Sequence, residues 1–162
     1  MNLGIYIDTM LDINRLEKIN KFVDHAIENK LFSDISIFYD NIGQNPFNTK
    51  CGMFNSTELW SFHGTLLVLS IEALRTTLNI VNNINIIYYY NWDTKVNAID
   101  LATNCSSIKN IICRNEKENS DIYRLTGKKS CGISENFNNI TELLLRCKNE
   151  HQSNNHNVYQ TA

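Results

Sequence analysis

A three-layer α/β fold on a mainly parallel sheet is the class this sequence predicts, on three observations. Short runs rich in β-branched or aromatic residues recur along the chain; several end in a polar residue; each is followed by a segment of helical periodicity. The first run, Leu3-Gly4-Ile5-Tyr6-Ile7, stops at Asp8, the second, Ile35 to Tyr39, stops at Asp40, and another, Ile84 to Tyr90, stops at Asn91. Strands so uniformly apolar have no wet face, as in a parallel sheet covered on both sides. Ligands of such open sheets bind beyond the carboxyl ends of the strands, which makes the polar residues that end the runs the first candidates for function.

The elements follow in order. After strand Leu3–Ile7, the positions Ile13, Leu16, Ile19, Val23, Ile27 and Leu31 recur at steps of three and four and predict a helix over 12–31, with Asp12 as its N-cap. Strand Ile35–Tyr39 comes next, and then the least regular stretch, Asn41 to His63, which holds the only proline, Pro46, together with Phe47, Phe54, Trp60 and Phe62. A connection of about twenty residues exceeds the usual range and marks a lid, a binding loop or a hidden element. Asn55-Ser56-Thr57-Glu58 reads as a capping box for one short helix inside it. A buried strand over Gly64–Leu69, a helix with Ile71, Leu74, Leu78 and Val81 on its inner face, and strand Ile84–Tyr90 make a βαβ unit. A shorter helix near Val96–Cys105, strand Asn110–Cys113, a turn of helix near Asp121–Leu125 ending at Gly127, a last strand within Ser130–Ser134 and a closing helix through Phe137, Ile140, Leu144 and Cys147 complete the pattern. Residues 1–147 are thus expected to form a single doubly wound, Rossmann-like domain, and the polar, aperiodic residues 148–162, with His151 and His156, a disordered tail.

Composition narrows the function classes. The formal net charge of −2 gives no field for nucleic acid, and no run approaches the roughly 18 apolar residues of a membrane span. The five cysteines lack C-x-x-C or His-paired spacing and read as reduced thiols, and no basic-then-apolar run opens the sequence, so a cytoplasmic protein is expected. The abundance of Asn and Ile beside six glycines indicates an AT-rich coding bias, so no single Asn carries much meaning.

The turn after the first strand, Asp8-Thr9-Met10-Leu11, has no G-x-G-x-x-G, and no G-K-[ST] occurs anywhere, which excludes the common dinucleotide and P-loop sites; no cofactor and no metal site is predicted. Asp8 and Asp40 are candidate catalytic carboxylates if their strands are neighbours, able to act as an acid/base pair or to hold a hard cation; the alternative is capping. His63, before Gly64, is a candidate general base or phosphate donor at a point of close backbone approach. Ser70 and Glu72 would stand at a helix N-terminus that can hold an anion, and Arg114 with Glu116, directly after Ile111-Ile112-Cys113, offers a guanidinium for a phosphate or carboxylate.

From Ile111-Ile112-Cys113-Arg114-Asn115-Glu116 through Tyr123-Arg124-Leu125-Thr126-Gly127-Lys128-Lys129 to Ile133-Ser134-Glu135-Asn136-Phe137, the chain resembles the end of the amino-terminal domain of GT-B glycosyltransferases. The glycine-rich loop that often follows strand one in these enzymes has no counterpart, nor does their second domain, so the resemblance implies a Rossmann-like, acceptor-binding half rather than a complete catalyst. The whole chain also resembles small uncharacterised proteins of T4-like marine phages, which implies a phage-encoded protein in the host cytoplasm. The leading expectation is a stand-alone module binding a small anionic or sugar-containing ligand, or a protein partner, at the carboxyl edge under the 41–63 loop. A glycosyltransferase-like or carboxylate-dependent hydrolytic enzyme is the alternative, and a structural or host-interacting protein the third.

Overall fold

A computed structural model describes residues 1–10, 12–41, 43, 47–80, 83–90, 97–135, 137 and 139–147. The elements run β1 (Asn2–Thr9), α1 (Ile13–Glu28), β2 (Asp34–Asn41), β3 (Gly52–Asn55), a 3-10 helix (Ser56–Ser61), β4 (Gly64–Val68), α2 (Ile71–Leu78), β5 (Ile84–Tyr90), α3 (Ala98–Ser106), β6 (Asn110–Cys113), α4 (Glu116–Thr126) and β7 (Gly132–Ile133). Residues 140–147 are helical. The strands form one seven-stranded sheet in the order β3-β2-β1-β4-β5-β6-β7, and every pair is parallel. The chain starts at the middle, winds outward through β2 and β3, returns to β4 beside β1, and winds outward again: a doubly wound, Rossmann-like domain. The expected tail, 148–162, the loop proline Pro46, the helix position Val81 and the run end Asn91 lie outside the described residues.

The period of two along each strand divides the core. Leu3, Ile5 and Ile7 of β1 pack with Leu16, Ile19 and Val23 of α1 and with Ile140 and Leu144. On the other face Tyr6 packs with Phe38, Leu66 and Val68, with Leu59 of the 3-10 helix, and with Leu74, Leu101 and Ile122 of α2, α3 and α4. Both faces are dry, and a sheet with no face in water dispenses with polar alternation. A polar ladder crosses one half of the sheet near its amino edge: Asn85 donates to Thr65 at 3.4 Å, Asn110 to Asn85 at 3.1 Å, and the Cys131 thiol to Asn110 at 3.4 Å. Each rung joins neighbouring strands, so a slip of register would leave these groups unpaired.

Three expectations are corrected. The stretch 41–63 hides the edge strand β3, whose four residues pair in parallel with Ser36–Tyr39 of β2 and are too few, with a Gly and an Asn among them, to show alternation. On α1, Ile13 is 56% and Ile27 36% exposed, while Asn20, Phe22 and Ala26 are buried, because the contact stripe drifts round the helix from the one drawn by branched residues alone. Helix α4 begins five residues earlier than Asp121: Asn115 caps it, accepting from the Glu118 N–H at 2.9 Å, and its polar first turns left no apolar period to read.

The stop at Gly127 is as read, with φ at 71° in the left-handed region and the Gly127 N–H donating to the Tyr123 carbonyl at 2.8 Å. A Cβ there would meet nothing within 4 Å, so Gly127→Ala tests backbone preference alone. It is expected to cost about 1 kcal/mol in urea unfolding, with no change in slope. A loss well beyond that would mean a contact as well.

Candidate carboxyl-edge site

Strand order determines which polar ends meet. The two windings part between β1 and β4, and a crevice opens at such a switch point beyond the carboxyl ends. Asp8 ends β1 and Asp40 ends β2; these strands are neighbours, and the pairs Ile7–Tyr39 and Thr9–Asn41 on either side place the two aspartates level. Both share the sheet face of Tyr6 and Phe38, since residues two apart point the same way.

The Tyr6 hydroxyl is fully buried and donates to both oxygens of Asp40, at 2.8 and 2.9 Å. Tyr6 pairs with Phe38 across the strands, so its long ring carries the hydroxyl one residue pair further, to the level of Asp40. Burial first, and then the Asp40 carboxylate, push the Tyr6 phenol from 10.0 up to about 12; hydrogen bonds with Thr76 and Ser56 pull the other way. The phenol therefore remains a donor at neutral pH. Asp8 is held by Arg15, whose Nη1 lies 3.5 Å from its Oδ1; the Arg15 side chain is 12% exposed and comes from the first turn of α1. Asp12 supplies the cap predicted for that helix, accepting from the Arg15 N–H at 3.1 Å.

The other candidates separate from this pair. His63 precedes β4 and so lies at the amino edge, opposite Asp8 and Asp40; its expected place in the carboxyl-edge crevice is corrected by the direction of the strand. The close approach read at Gly64 is to protein: a Cβ there would lie 2.6 Å from the Asn2 carbonyl oxygen. Arg114 is at the carboxyl edge but on β6, three strands from β1, or about 14 Å of sheet. Its guanidinium is 2.8 Å from Glu118 Oε1, and its backbone N–H donates to the other oxygen at 2.9 Å. Glu116 accepts from Asn119 at 3.2 Å on the exposed first turn of α4.

Ser70 lies at the end of β4, next to β1, but its hydroxyl caps α2 by accepting from the Ala73 N–H at 3.1 Å, and Glu72 pairs with Arg75 at 2.7 Å. At the start of α2 the Ala73 N–H is thus taken by a side chain of this chain. Of the described part of 41–63, β3 extends the sheet and the 3-10 helix lies on its face, with Phe54 and Phe62 packed on Phe38 at ring-centre distances of 6.0 and 5.3 Å and Ser56 within hydrogen-bond reach of the Tyr6 hydroxyl. Sequence reasoning missed Tyr6 and Arg15. The available signal was Tyr6 itself, the one residue with a polar tip inside an aliphatic strand, two residues before Asp8.

Among the described residues no group of three or more His, Cys, Asp or Glu is placed to hold a metal ion, and no helix is long and apolar enough to cross a membrane. Buried Cys113 is pushed up to about 12, chiefly by burial, which leaves it no nucleophilic character at neutral pH. Comparison with protein-family models, curated proteins and solved structures returns no match.

Proposed function

We propose that this Rossmann-like domain is a binding module that takes a small hydroxyl-bearing ligand of the sugar type at its carboxyl edge, without completing a reaction by itself. The observation that carries the reading is the level pairing of Asp8 and Asp40 on adjacent strands beside the switch point. Two carboxylates side by side accept from vicinal hydroxyls, and an ionised carboxylate has lone pairs to spare after one donor is bound. In dinucleotide-binding sheets an acidic side chain beyond the glycine-rich turn accepts from the ribose in this way. The implied acceptor-binding role of a GT-B half points in the same direction.

The sugar part of the ligand is favoured over an anionic part. The turn after β1 lacks the glycines that cradle phosphate, Arg114 is engaged by Glu118, and Ser70 caps its own helix. The test is a thermal-shift and calorimetric screen with pentoses, hexoses, nucleosides and nucleotide sugars, in which a ligand that binds the native state raises the midpoint. A hydroxylated compound is expected to raise it, and Asp40→Asn to weaken that compound's binding about ten- to a hundredfold, the scale of hydrogen bonds to a charged group. Binding that is unchanged in both Asp8→Asn and Asp40→Asn would exclude this edge as the site.

A further inference from the structure

At the opposite, amino edge lies a cavity of about 280 Å³ between the β1–β2 face and the 3-10 helix, with His63 at its border. Two of its rings pack against Gly4 of β1, where a Cβ would come within 2.7 Å of Leu66, 3.0 Å of the Phe62 ring and 3.1 Å of Phe38. Phe38, Phe54 and Phe62 line it, the latter two flanking Phe38 at interplanar angles of 33° and 68°. Two carboxylates, Asp34 and Glu58, complete the lining, and no Lys or Arg contributes to it. Neither carboxylate makes an ion pair or hydrogen bond among the described residues.

Ser36 is the informative member. It is 7% exposed, it lines the cavity, and its hydroxyl has no hydrogen-bond partner among the described residues. Its oxygen is open to the cavity rather than sealed from it, so a donor that enters the cavity can reach it. A ligand group that reaches the cavity floor would satisfy it.

We propose that this cavity binds a primary alkylammonium group. Such a group carries three N–H donors and no acceptor, which matches one hydroxyl and two carboxylates. The aromatic rings favour a cation over their faces and give its methylene stem an apolar wall. An anion would face two uncompensated negative charges, and a quaternary ammonium has no N–H for Ser36. The group can belong to a free amine or to a lysine side chain of a protein partner; the chemistry is shared. This site is independent of the carboxyl edge and stands whether or not a sugar-type ligand binds there.

The experiment is an NMR titration of the full chain with n-butylammonium chloride, beside 1-pentanol, tetramethylammonium, a methyl glucoside and N-acetyl-lysine methylamide. Saturable shifts of the Ser36 and Phe38 amide signals with butylammonium, weaker ones with tetramethylammonium and none with pentanol are expected, and they should fade with added salt. Binding of the lysine amide in preference to the free amine assigns the site to a protein partner, and the reverse to a small molecule. Asp34→Asn and Glu58→Gln, both at exposed positions, should each weaken binding about three- to fivefold, the range of an exposed ion pair. Pentanol or the glucoside binding as tightly as butylammonium would overturn the proposal. So would unchanged binding in the folded double variant, or the absence of any saturable amine binding.

Discussion

Gly64→Ala is expected to be among the most destabilising single substitutions in this protein, at about 3 to 5 kcal/mol, with the thermal midpoint lower by roughly 10 °C or more. Gly64 opens β4 with φ at 153°, a conformation that L side chains rarely adopt, and its missing Cβ would fall 2.6 Å from the Asn2 carbonyl oxygen. That neighbour is backbone and cannot swing aside. Relief would require β4 to move away from β1 at the seam where the two windings of the sheet meet, and this seam also carries the proposed site. The comparison with Gly127→Ala is the control: both glycines have positive φ, but only Gly64 has a neighbour in the way. Urea unfolding of the two variants side by side decides the matter, and equal losses would mean that the close approach is relieved at little cost.

Tyr6→Phe is the second large effect, about 1.5 to 3 kcal/mol, because it removes a buried donor from a carboxylate and leaves Asp40 with desolvation uncompensated. Combining it with Asp40→Asn should give a non-additive cycle, since the two groups are in contact. The variant also predicts a change in pH dependence. The folded state holds the Tyr6 proton more tightly than the unfolded chain does, with a pKa raised from 10.0 to about 12. The associated stability is therefore fully present below pH 10 and is lost as pH rises through 12. Cys51, raised from 9.0 to about 11, and Cys113, raised from 9.0 to about 12, act with the same sign from pH 9 upward. Stability of the parent protein should fall from about pH 9, and Tyr6→Phe should flatten the decline above pH 10 while leaving the cysteine part; equal slopes in the two proteins would sink the assignment.

The candidate site was legible only in part. Asp8 and Asp40 were readable because each ends an apolar run, and a strand end is a local signal. Whether they meet is a question of strand order, which no local pattern carries. The same ignorance grouped Arg114 and His63 with them. Arg114 shares the edge but is three strands off, and His63, at the start of a strand rather than its end, belongs to the other edge. Ser70 and Glu72 were correctly placed at a helix start, and the structure resolves their two possible roles in favour of capping and a local ion pair. The amino-edge cavity left no trace in the pattern, because Asn2, Ser36, Phe38 and Glu58 come from three separated segments whose contact depends on register and on the path of the 3-10 helix.

The sequence by itself determined the class of fold and most of its elements. Apolar runs without a wet side admit few architectures other than a parallel sheet between two layers of helices, and caps such as Asp12 and Asn55 and the stop at Gly127 are set by interactions within a few residues. Tertiary structure alone decided the order β3-β2-β1-β4-β5-β6-β7, the level register of Asp8 with Asp40, the engagement of Arg114 by Glu118 in place of a ligand, and the opening of a cavity on the far edge. The division has a physical cause. Periodicity and capping are free-energy differences local to a few residues, whereas strand order and register are chosen by side-chain packing between segments tens of residues apart, among them Gly64 against Asn2 and Tyr6 against Asp40.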